Sequence, residues 1–402
     1  MVRFPLLLSH KTLPRSPHSV LVDTYGRVHN NLRISVTDRC NLRCTYCMPE
    51  EVEFLHRSEL LSFEEIAEFV RVAAGLGIDK VRLTGGEPLL RRDLPKLVKL
   101  IAAIPGIRDI GLTTNGLLLT NQAQALFDAG LRRMNVSLDT LDDGRFRELS
   151  RRDGLPQVLA GLEAARRAGF APIKVNAVAI RGFIEKDAVP LAKYCREMGF
   201  ELRFIEYMPI GADAWEREKV FFAHELQELL AAEVAPLLPS PLEGEGGAQH
   251  RVRGSVLDEA TPHPAAKRGD PLPQGERVQE VPPLTPSRSG TTLSPRGEGD
   301  NRSPAEDFDY ADGGGRVGFI ASVSRPFCGS CNRVRLTADG KLRNCLFAHD
   351  EIDVKAMLRA SPLDDDALAD TIRANIWAKG EGHEINSAKF VKPDRTMHAI
   401  GG

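Results

Sequence analysis

The sequence alternates six times between short apolar runs and amphipathic helical stretches over residues 31–209. The apolar runs are LRISVT, KVRLT, DIGLTT, RMNVSLD, IKVNAVAI and ELRFIEYM. Because apolar strands that alternate with helices form a parallel sheet covered by those helices, this pattern predicts an α/β fold. Six units rather than eight indicate an incomplete (β/α)6 barrel of the TIM type, with its chemistry at the carboxyl ends of the strands.

The chain is expected to divide into three regions. Residues 20–234 form the partial barrel, and residues 306–402 form a C-terminal α+β domain. Between them, residues 235–305 form an insertion that is rich in proline and glycine and has no aromatic residue. Such a composition cannot bury a core and predicts disorder. We expect a tolerated surface insertion there, since nothing in its residues supports a role in partner binding.

Charge and cysteine content narrow the classes of function. The net charge of the 402 residues is −2, which argues against nucleic acid or a membrane as the main partner. The early apolar run FPLLL is too short for a signal segment or a membrane span, so we expect a cytoplasmic protein. In that compartment, seven cysteines favour metal binding or catalysis over disulfides. Six of them form two triads, and Cys195 fits an apolar helix core.

Cys40, Cys44 and Cys47 form the first triad, with C-x3-C-x2-C spacing directly after the first predicted strand. Thiolates at this spacing can ligate three corners of an iron–sulfur cluster, which normally takes four cysteines. The missing ligand leaves one iron open, as in catalytic metal sites. The alternatives are a zinc site completed by a distant fourth ligand, and reduced structural cysteines.

Cys328, Cys331 and Cys345 form the second triad, within FCGSCNRVRLTADGKLRNC. Three ligands again leave one metal position open, as an iron–sulfur cluster with a binding function requires. The alternative is a zinc ion with a fourth ligand such as His349 or Asp350.

The stretch between the last two of these cysteines predicts a β-hairpin, because RVRLT and KLRNC are strand-like and flank the turn ADG. If Thr337 pairs with Lys341, Arg335 faces Arg343 and Arg333 faces the last cysteine. Cys345 then lies diagonally across the hairpin from Cys331. Diagonal neighbours are roughly 7–8 Å apart between Cα atoms, which suits one shared cluster. Since side chains alternate along a strand, one face carries Cys331, Arg333, Arg335 and Cys345.

Further charged and polar residues on the barrel strands are candidates for the same cavity. Arg33, Arg82 and Lys174 lie in apolar strand runs, where a buried charge needs an anionic partner. With the two hairpin arginines they give five positive groups, which suits a triphosphate. Each of them alone is more often a surface charge. Three more candidates near strand ends are Thr113, Ser137 and Met208, for which a cap, a solvated hydroxyl and core packing are the alternatives.

The first triad, with Tyr46 just before its last cysteine, and the run TGGEP at the end of the second strand resemble the radical S-adenosylmethionine (SAM) superfamily. The resemblance implies a 4Fe–4S cluster whose open iron binds the amino and carboxylate groups of SAM. One electron from that cluster cleaves SAM into methionine and a 5′-deoxyadenosyl radical.

Most of the chain is similar to one family in that superfamily, GTP 3′,8-cyclase, also called molybdenum cofactor biosynthesis protein A. The similarity covers residues 20–234 and 306–402. It includes TDRCNLRCTYCMP, RLTGGEPLLR, LTTNG, NVSLDTL, FIEYMP, CNRVRLTADGKLRNC and the terminal Gly-Gly. The second triad makes it specific, because many radical SAM enzymes have only the first. The region 236–305 departs from the family and receives no role from it.

The family resemblance implies roles residue by residue. The SAM cluster is held by Cys40, Cys44 and Cys47, and the SAM site is lined by Tyr46, Gly86, Ser137 and Met208. A second 4Fe–4S cluster, whose open iron contacts the guanine of GTP, is held by Cys328, Cys331 and Cys345. The GTP contacts are Arg33, Arg82, Thr113, Lys174, Arg333 and Arg335. The catalytic candidates are Arg333, Arg335 and the tail residues Gly401 and Gly402, which reach toward the active site.

The implied reaction begins when the deoxyadenosyl radical abstracts H3′ from the ribose of GTP. The C3′ radical attacks C8 of guanine, and reduction gives 3′,8-cyclo-7,8-dihydro-GTP. The implied partners are GTP, a reducing electron donor and cyclic pyranopterin monophosphate synthase, which takes the product, and a homodimer is left open. The rival hypotheses are a radical SAM peptide-modifying enzyme, which usually has more C-terminal cysteines, and a non-enzymatic zinc or iron–sulfur module.

Overall fold

The strands of this chain join into one mixed β-sheet. The computed structural model describes residues 20–211, 215–240 and 304–401, all of which fall within one compact unit. The strands in these ranges are β1 (Asn31–Ser35), β2 (Lys80–Thr84), β3 (Asp109–Thr114), β4 (Arg133–Ser137), β5 (Ile173–Ala179), β6 (Glu201–Glu206), β7 (Leu237–Pro239), β8 (Glu306–Tyr310), β9 (Arg316–Ile320), β10 (Arg333–Leu336), β11 (Lys341–Arg343) and β12 (Ile352–Asp353). Their order in the sheet is β12-β11-β10-β1-β2-β3-β4-β5-β6-β9-β8-β7.

The six parallel strands predicted from the sequence are confirmed, since β1 to β6 pair side by side in chain order. The sequence did not indicate that β9 pairs in parallel with β6 and β10 in parallel with β1. Antiparallel strands then follow at both ends of the sheet. The region expected to form a C-terminal domain therefore extends the barrel sheet at both edges, where it pairs backbone groups that would otherwise be open.

Helices connect the parallel strands and cover one side of the sheet, and three further helices, α8 to α10, follow the last strand. They are α1 (Phe63–Gly75), α2 (Leu94–Ala102), α3 (Ala123–Asp128), α4 (Asp143–Ser150), α5 (Leu155–Ala168), α6 (Ile184–Met198), α7 (Ala223–Glu233), α8 (Lys355–Leu358), α9 (Asp365–Trp377) and α10 (Met397–Ile400). Helix α1 begins with a capping box, in which Ser62 and Glu65 each accept the backbone N–H of the other. None of the helices described is long and apolar enough to cross a membrane.

Each parallel strand separates an apolar face from a polar one. Leu32 and Ile34 of β1 and Leu83 of β2 are buried in the hydrophobic core between sheet and helices. Arg33 lies between the two β1 core residues and therefore points to the opposite face. Cys195 of α6 is 1% exposed and belongs to the core, in line with the sequence prediction. The polar face is left as the surface on which binding groups can gather.

The predicted insertion is shorter at both ends than the sequence indicated. Leu237–Pro239 form β7, which pairs antiparallel with β8, and Ala305 is buried. Proline obscured this strand in the sequence, but an edge strand accommodates proline because its outward position needs no N–H donor. Residues 241–303 lie outside the described part of the chain, so the expectation of disorder there stays a prediction.

Candidate active site

The first cysteine triad lies in the loop that follows β1. The backbone N–H groups of Cys47 and Met48 donate to the Cys44 carbonyl at 2.9 and 3.2 Å, which closes the loop into a tight turn. The backbone N–H of Leu42 donates to Cys40 Sγ at 3.4 Å. Burial raises the pKa of Cys40 to about 11 and that of Cys47 to about 12, and it raises the pKa of Cys44 as well. These thiols need a nearby cation to ionise at neutral pH.

The hairpin of the second triad has the predicted register. Arg335 is opposite Arg343, and the Thr337 N–H donates to the Lys341 carbonyl at 2.9 Å. The strand pairing does not extend to Cys345, which follows two residues after β11 in a loop. The predicted pairing of that cysteine with a β10 arginine is therefore not part of the ladder, because the chain leaves the sheet first.

Two thiols of the second triad differ in pKa. Burial raises the pKa of Cys328. Burial also raises the pKa of Cys331, but the ammonium of Lys379 and the guanidinium of Arg333 outweigh it and bring the pKa to about 7. The half-buried Cys331 thiol therefore ionises more readily than the Cys328 thiol, which lies three residues earlier in the same turn.

Each triad offers three cysteine thiolates, the donor type that iron–sulfur clusters take. Within the described ranges, no three His, Cys, Asp or Glu side chains converge closely enough to hold one ion. Three thiolates on one zinc ion lie within roughly 4 Å of one another, because each Zn–S bond is about 2.3 Å. In a 4Fe–4S cluster each thiolate binds a separate iron, so the cysteines can lie further apart. His349, an alternative fourth zinc ligand, is exposed and its Nε2 contacts the Val391 carbonyl at 3.2 Å.

Four arginines predicted to contact GTP lie together on the polar face, and we call them the arginine cluster. Arg33 is level with Arg335 on one neighbouring strand and with Arg82 on the other. Residues that are level in neighbouring strands point to the same side of a sheet. Arg333 lies two residues before Arg335 on β10 and shares that side. The cluster therefore spans β10, β1 and β2.

The charges of the arginine cluster are poorly compensated. Burial lowers the pKa of Arg33 well below its usual value, and the other three guanidiniums lower it further. Burial also lowers the pKa of Arg82 and of Arg335 to about 10. Among the residues described, Arg33 Nε and Arg82 Nη1 are buried without a hydrogen-bond partner. An anion with several oxygens would satisfy both the charges and the free donors.

The remaining GTP candidates extend the polar face across the sheet. Thr113 of β3 and Lys174 of β5 are each level with Asn135 of β4. Lys174 Nζ forms an ion pair with Glu201 at 2.9 Å. Lys174 therefore lies on the predicted face, but part of its charge is already neutralised, unlike the charges of the arginine cluster.

Arg203 of β6 belongs to the same face and was missed from the sequence. It is level with Gly318 of β9, where a Cβ atom would lie 3.3 Å from the arginine side chain. Arg203 is buried, its contact with Asp307 is long at 3.4 Å, and its Nε has no partner in the part of the chain described. The available signal was a charged residue inside the apolar run ELRFIEYM, the same signal that identified Arg33 and Arg82.

The C-terminal tail reaches the arginine cluster. Arg335 Nη1 donates to the Gly401 carbonyl at 2.6 Å. Gly401 has a φ of +84°, and a Cβ there would lie 2.9 Å from Thr84 Cγ2 and 3.1 Å from Ser35 Cβ. Only glycine fits this position at the carboxyl ends of β1 and β2. Gly402 lies outside the described residues, so its predicted role stays a prediction.

Three of the SAM candidates lie close to the first triad. A small cavity of about 30 Å³ is lined by residues that include Cys44, Tyr46, Ser137 and Asp139. Tyr46 Oη donates to Asp139 Oδ2 at 2.9 Å, and burial raises the pKa of this aspartate to about 6. Met208 and Tyr46 pack against the same small hydrophobic cluster. The structure thus brings three of the four SAM candidates close to the first triad.

The TGGEP run fixes the end of β2 against the first triad's loop. A Cβ on Gly86, the fourth SAM candidate, would lie 2.4 Å from the Arg39 carbonyl oxygen, so only glycine allows this approach. Glu87, to which the sequence analysis gave no role, is fully buried and accepts hydrogen bonds from Thr114 Oγ1 and the Asn115 N–H, both at 2.7 Å. It ties the end of β2 to the end of β3.

Two protein families match separate parts of this chain. Residues 34–195 match the Radical SAM superfamily, and residues 281–385 match the family described as Molybdenum Cofactor Synthesis C. The first match begins near the end of β1 and contains the first triad and β2 to β5, and the second match contains the second triad.

Full-length relatives share one description. GTP 3′,8-cyclase of Rhodopirellula baltica is 42% identical over 389 residues, which covers 95% of this chain and 92% of that protein. The enzyme of the same name from Mycolicibacterium smegmatis is 42% identical over 97% of this chain and 94% of its own length. That of Streptomyces coelicolor is 41% identical over 98% of this chain and 99% of its own. At this identity over nearly its whole length, the chain belongs to the GTP 3′,8-cyclase family of the radical SAM superfamily.

Proposed function

We propose that this chain is a radical SAM lyase that converts GTP to 3′,8-cyclo-7,8-dihydro-GTP, the first step of molybdenum cofactor biosynthesis. The observation that carries the proposal is the arginine cluster between two cysteine triads. One triad follows β1, which carries Arg33, and the other precedes β10, which carries Arg333 and Arg335. A polyanionic substrate held by these guanidiniums would lie between two metal centres.

The first triad is proposed to hold a 4Fe–4S cluster with one open iron. When bound there, the cluster supplies the electron that cleaves SAM into methionine and the 5′-deoxyadenosyl radical that abstracts H3′ of GTP. The chain's own contribution is positioning. Asp139 orients the Tyr46 hydroxyl, and Gly86 lets the end of β2 approach the loop. Ser137 and Met208 complete the proposed SAM contacts.

GTP is proposed to bind across the polar face with its triphosphate on the arginine cluster. Guanidiniums that burial deprives of water gain most from phosphate oxygens, because charge-assisted bidentate bonds replace the lost hydration. The proposed contacts beyond the cluster are Thr113, Lys174 and the newly identified Arg203. The second triad is proposed to hold a second 4Fe–4S cluster beside the guanine. Gly401, through Arg335, and Gly402 are proposed to act at the triphosphate.

Several partners follow from this reaction. We propose a reducing electron donor and cyclic pyranopterin monophosphate synthase as the enzyme that consumes the product. We also propose that the protein works in the cytoplasm, where disulfides are rare and its cysteines would stay reduced. A homodimer stays a prediction.

The decisive experiment is an anaerobic assay of reconstituted protein with SAM, dithionite and GTP. We expect 5′-deoxyadenosine to form faster with GTP than without it, together with a product that has the mass of GTP and a new C3′–C8 bond. ATP in place of GTP is the control for base recognition. If 5′-deoxyadenosine forms no faster with GTP than without, the proposed reaction is wrong.

A further inference from the structure

Lys379 is a buried ammonium that contacts a cysteine of the second triad. Its side chain is 4% exposed and follows the end of α9. Lys379 Nζ lies 3.4 Å from Cys331 Sγ and donates to the Arg333 carbonyl at 2.9 Å. The opposite charges that act on this ammonium are the thiolates of Cys331 and Cys345. A buried lysine is costly unless an anion compensates its charge.

A second buried residue fixes the chain next to Lys379. Arg27 Nη1 donates to the carbonyls of Cys328 and Glu381 at 2.8 and 2.7 Å, and its Nη2 donates to the Gly380 carbonyl at 2.6 Å. Arg27 Nε is bound to Asp23 Oδ2 at 2.5 Å. Arg27 thus joins the turn of the second triad to the two residues that directly follow Lys379. These hydrogen bonds fix the main chain next to Lys379 against the turn of the second triad.

We propose that Lys379 is a positioning residue that holds a fixed positive charge against Cys331 Sγ and so raises the reduction potential of the second cluster. This inference rests on the two-cluster function proposed above. A cluster gains one negative charge when it accepts an electron, and a neighbouring cation stabilises that reduced form. Hydrogen bonds to cluster sulfurs act in the same direction, and low solvent exposure strengthens both effects.

The alternative is a purely structural role for Lys379, since it also donates to a main-chain carbonyl. The two roles differ in what they require of the side chain. A charge effect needs a cation of any shape that fits, whereas a packing role needs the volume and the flexible stem. Lys379→Arg keeps the charge, and Lys379→Met keeps much of the volume without it. Lys389→Met is the control, because that lysine is exposed and its charge is screened by water.

The test is a potentiometric titration of the reconstituted proteins, followed by electron paramagnetic resonance, with iron content measured on the same samples. The first cluster is the internal reference, and its signal is the one that changes when SAM is added. At a given applied potential, the ratio of reduced to oxidised second clusters should be about tenfold lower in Lys379→Met than in wild type, which is a shift of about 59 mV for a one-electron couple. Lys379→Arg and Lys389→Met should stay within about threefold of wild type. Equal potentials for wild type and Lys379→Met would overturn the proposal.

The remaining outcomes are also decisive. If Lys379→Met fails to assemble the second cluster, the comparison moves to Lys379→Arg. A second cluster in Lys379→Arg whose potential stays within about threefold of wild type then upholds the proposal, and a larger shift overturns it. If both variants lose the cluster, or if both shift the potential equally, the role is structural and the proposal is wrong. If wild type holds about eight irons per chain but does not convert GTP, the proposed reaction is wrong, while the effect of Lys379 on the second cluster can still be tested. Four irons would refute both.

Discussion

Guanidiniums on one polar face repel one another, and burial denies them the water that would screen this repulsion. In the arginine cluster the two effects act together, so they lower the stability of the folded chain when no anion is bound. The same cost becomes a source of affinity when phosphate oxygens replace the lost water. Stability and binding are therefore opposed at these four side chains.

Arg333→Ala should weaken GTP binding by about 10- to 100-fold, since hydrogen bonds to charged groups contribute about 1.5–3 kcal/mol each. Cleavage of SAM without GTP should persist, because the first triad lies on a different loop. The measurements are the Kd for GTP and the rate of 5′-deoxyadenosine formation. Arg167→Ala, on an exposed position of α5, is the control. Equal loss of binding and of SAM cleavage would speak against the assignment.

Arg82→Met should raise the stability of the ligand-free protein, because it removes a buried charge whose pKa is lowered to about 10. A rise of about 2 °C in the unfolding midpoint is expected. The further rise caused by GTP should become smaller than in wild type. Thermal unfolding with and without GTP measures both changes, and Arg167→Met serves as the matched surface variant. A lower unfolding midpoint without GTP would show that the packing of the Arg82 side chain stabilises the fold more than its charge destabilises it.

Single charged residues inside apolar strand runs were the part of the site that the sequence could reveal. Arg33 and Arg82 stand out in this way, and the structure places both on the polar face. Arg203 carries the same signal, a charged residue within an apolar strand run, and the structure places it on the same face. The ion pair of Lys174 could not be predicted, because Glu201 meets it only through the pairing of β5 with β6.

At the scale of elements, the segment before β1 links distant parts of the chain. Asp23 holds Arg27 in place, and Arg27 binds carbonyls more than 300 positions later in the sequence. His29 also contacts Asp23 Oδ2, at 3.0 Å. This short segment therefore forms a clamp on the second triad although it forms no regular strand of its own.

Arg27→Gln should remove the clamp and impair the second cluster selectively. The turn at Cys328 would lose its link to residues 380–381, whereas the loop of the first triad is untouched. We expect iron to fall from about eight toward about four per chain after reconstitution, with SAM cleavage without GTP retained. Arg92→Gln, at an exposed position, controls for the loss of a charge. Unchanged iron content would show that the clamp is dispensable.

His29 should make the stability of the protein sensitive to acid. Burial, followed by the charge of Lys379, lowers the pKa of His29 to about 4. The unfolded chain, with a pKa near 6.5, binds the proton first, so stability is complete above pH 6.5 and is lost as the pH falls toward 4. At pH 5 the loss due to this residue should be about 2 kcal/mol relative to pH 7. Denaturant unfolding of wild type and His29→Gln at both pH values checks this, and parallel pH profiles would contradict it.

Local rules predicted some element pairings and failed for others. The register of the β10–β11 hairpin followed from its turn, because a short loop leaves few ways to align two strands. The parallel pairing of β10 with β1 could not be predicted from a turn, since the two strands lie some 300 positions apart. The proline of β7 likewise hid an edge strand that only its partner β8 defines.

At the scale of the whole molecule, the parallel sheet is assembled from both ends of the described chain. The partial barrel was predictable from six repeats of strand and helix, whereas the contribution of the C-terminal region to both edges was not. The active-site face depends on this arrangement, because the arginine cluster combines β1 and β2 with β10.

Replacement of residues 241–303 by a short Gly/Ser bridge should give a folded and active protein. The Ser240 N–H donates to the Asp307 carbonyl at 3.0 Å, so the two ends to be joined are already close. A shorter loop lowers the entropy cost of closure. GTP-dependent 5′-deoxyadenosine formation should stay within about twofold of wild type. The longer deletion of residues 236–305 removes β7 and should unfold at a lower temperature, and an inactive but folded short deletion would show that the region has a function.

The pairing of β9 with β6 and of β10 with β1 also shapes how the chain is made on the ribosome. Strand β6 ends at Glu206, and β9 begins only at Arg316. At about 5–20 residues per second, synthesis of the intervening segment takes on the order of ten seconds. During that interval the nascent half-barrel presents two unpaired edges, the feature of a sheet that most readily recruits other chains. We therefore expect chaperones to raise the yield of this protein most while the third quarter of the chain is being translated.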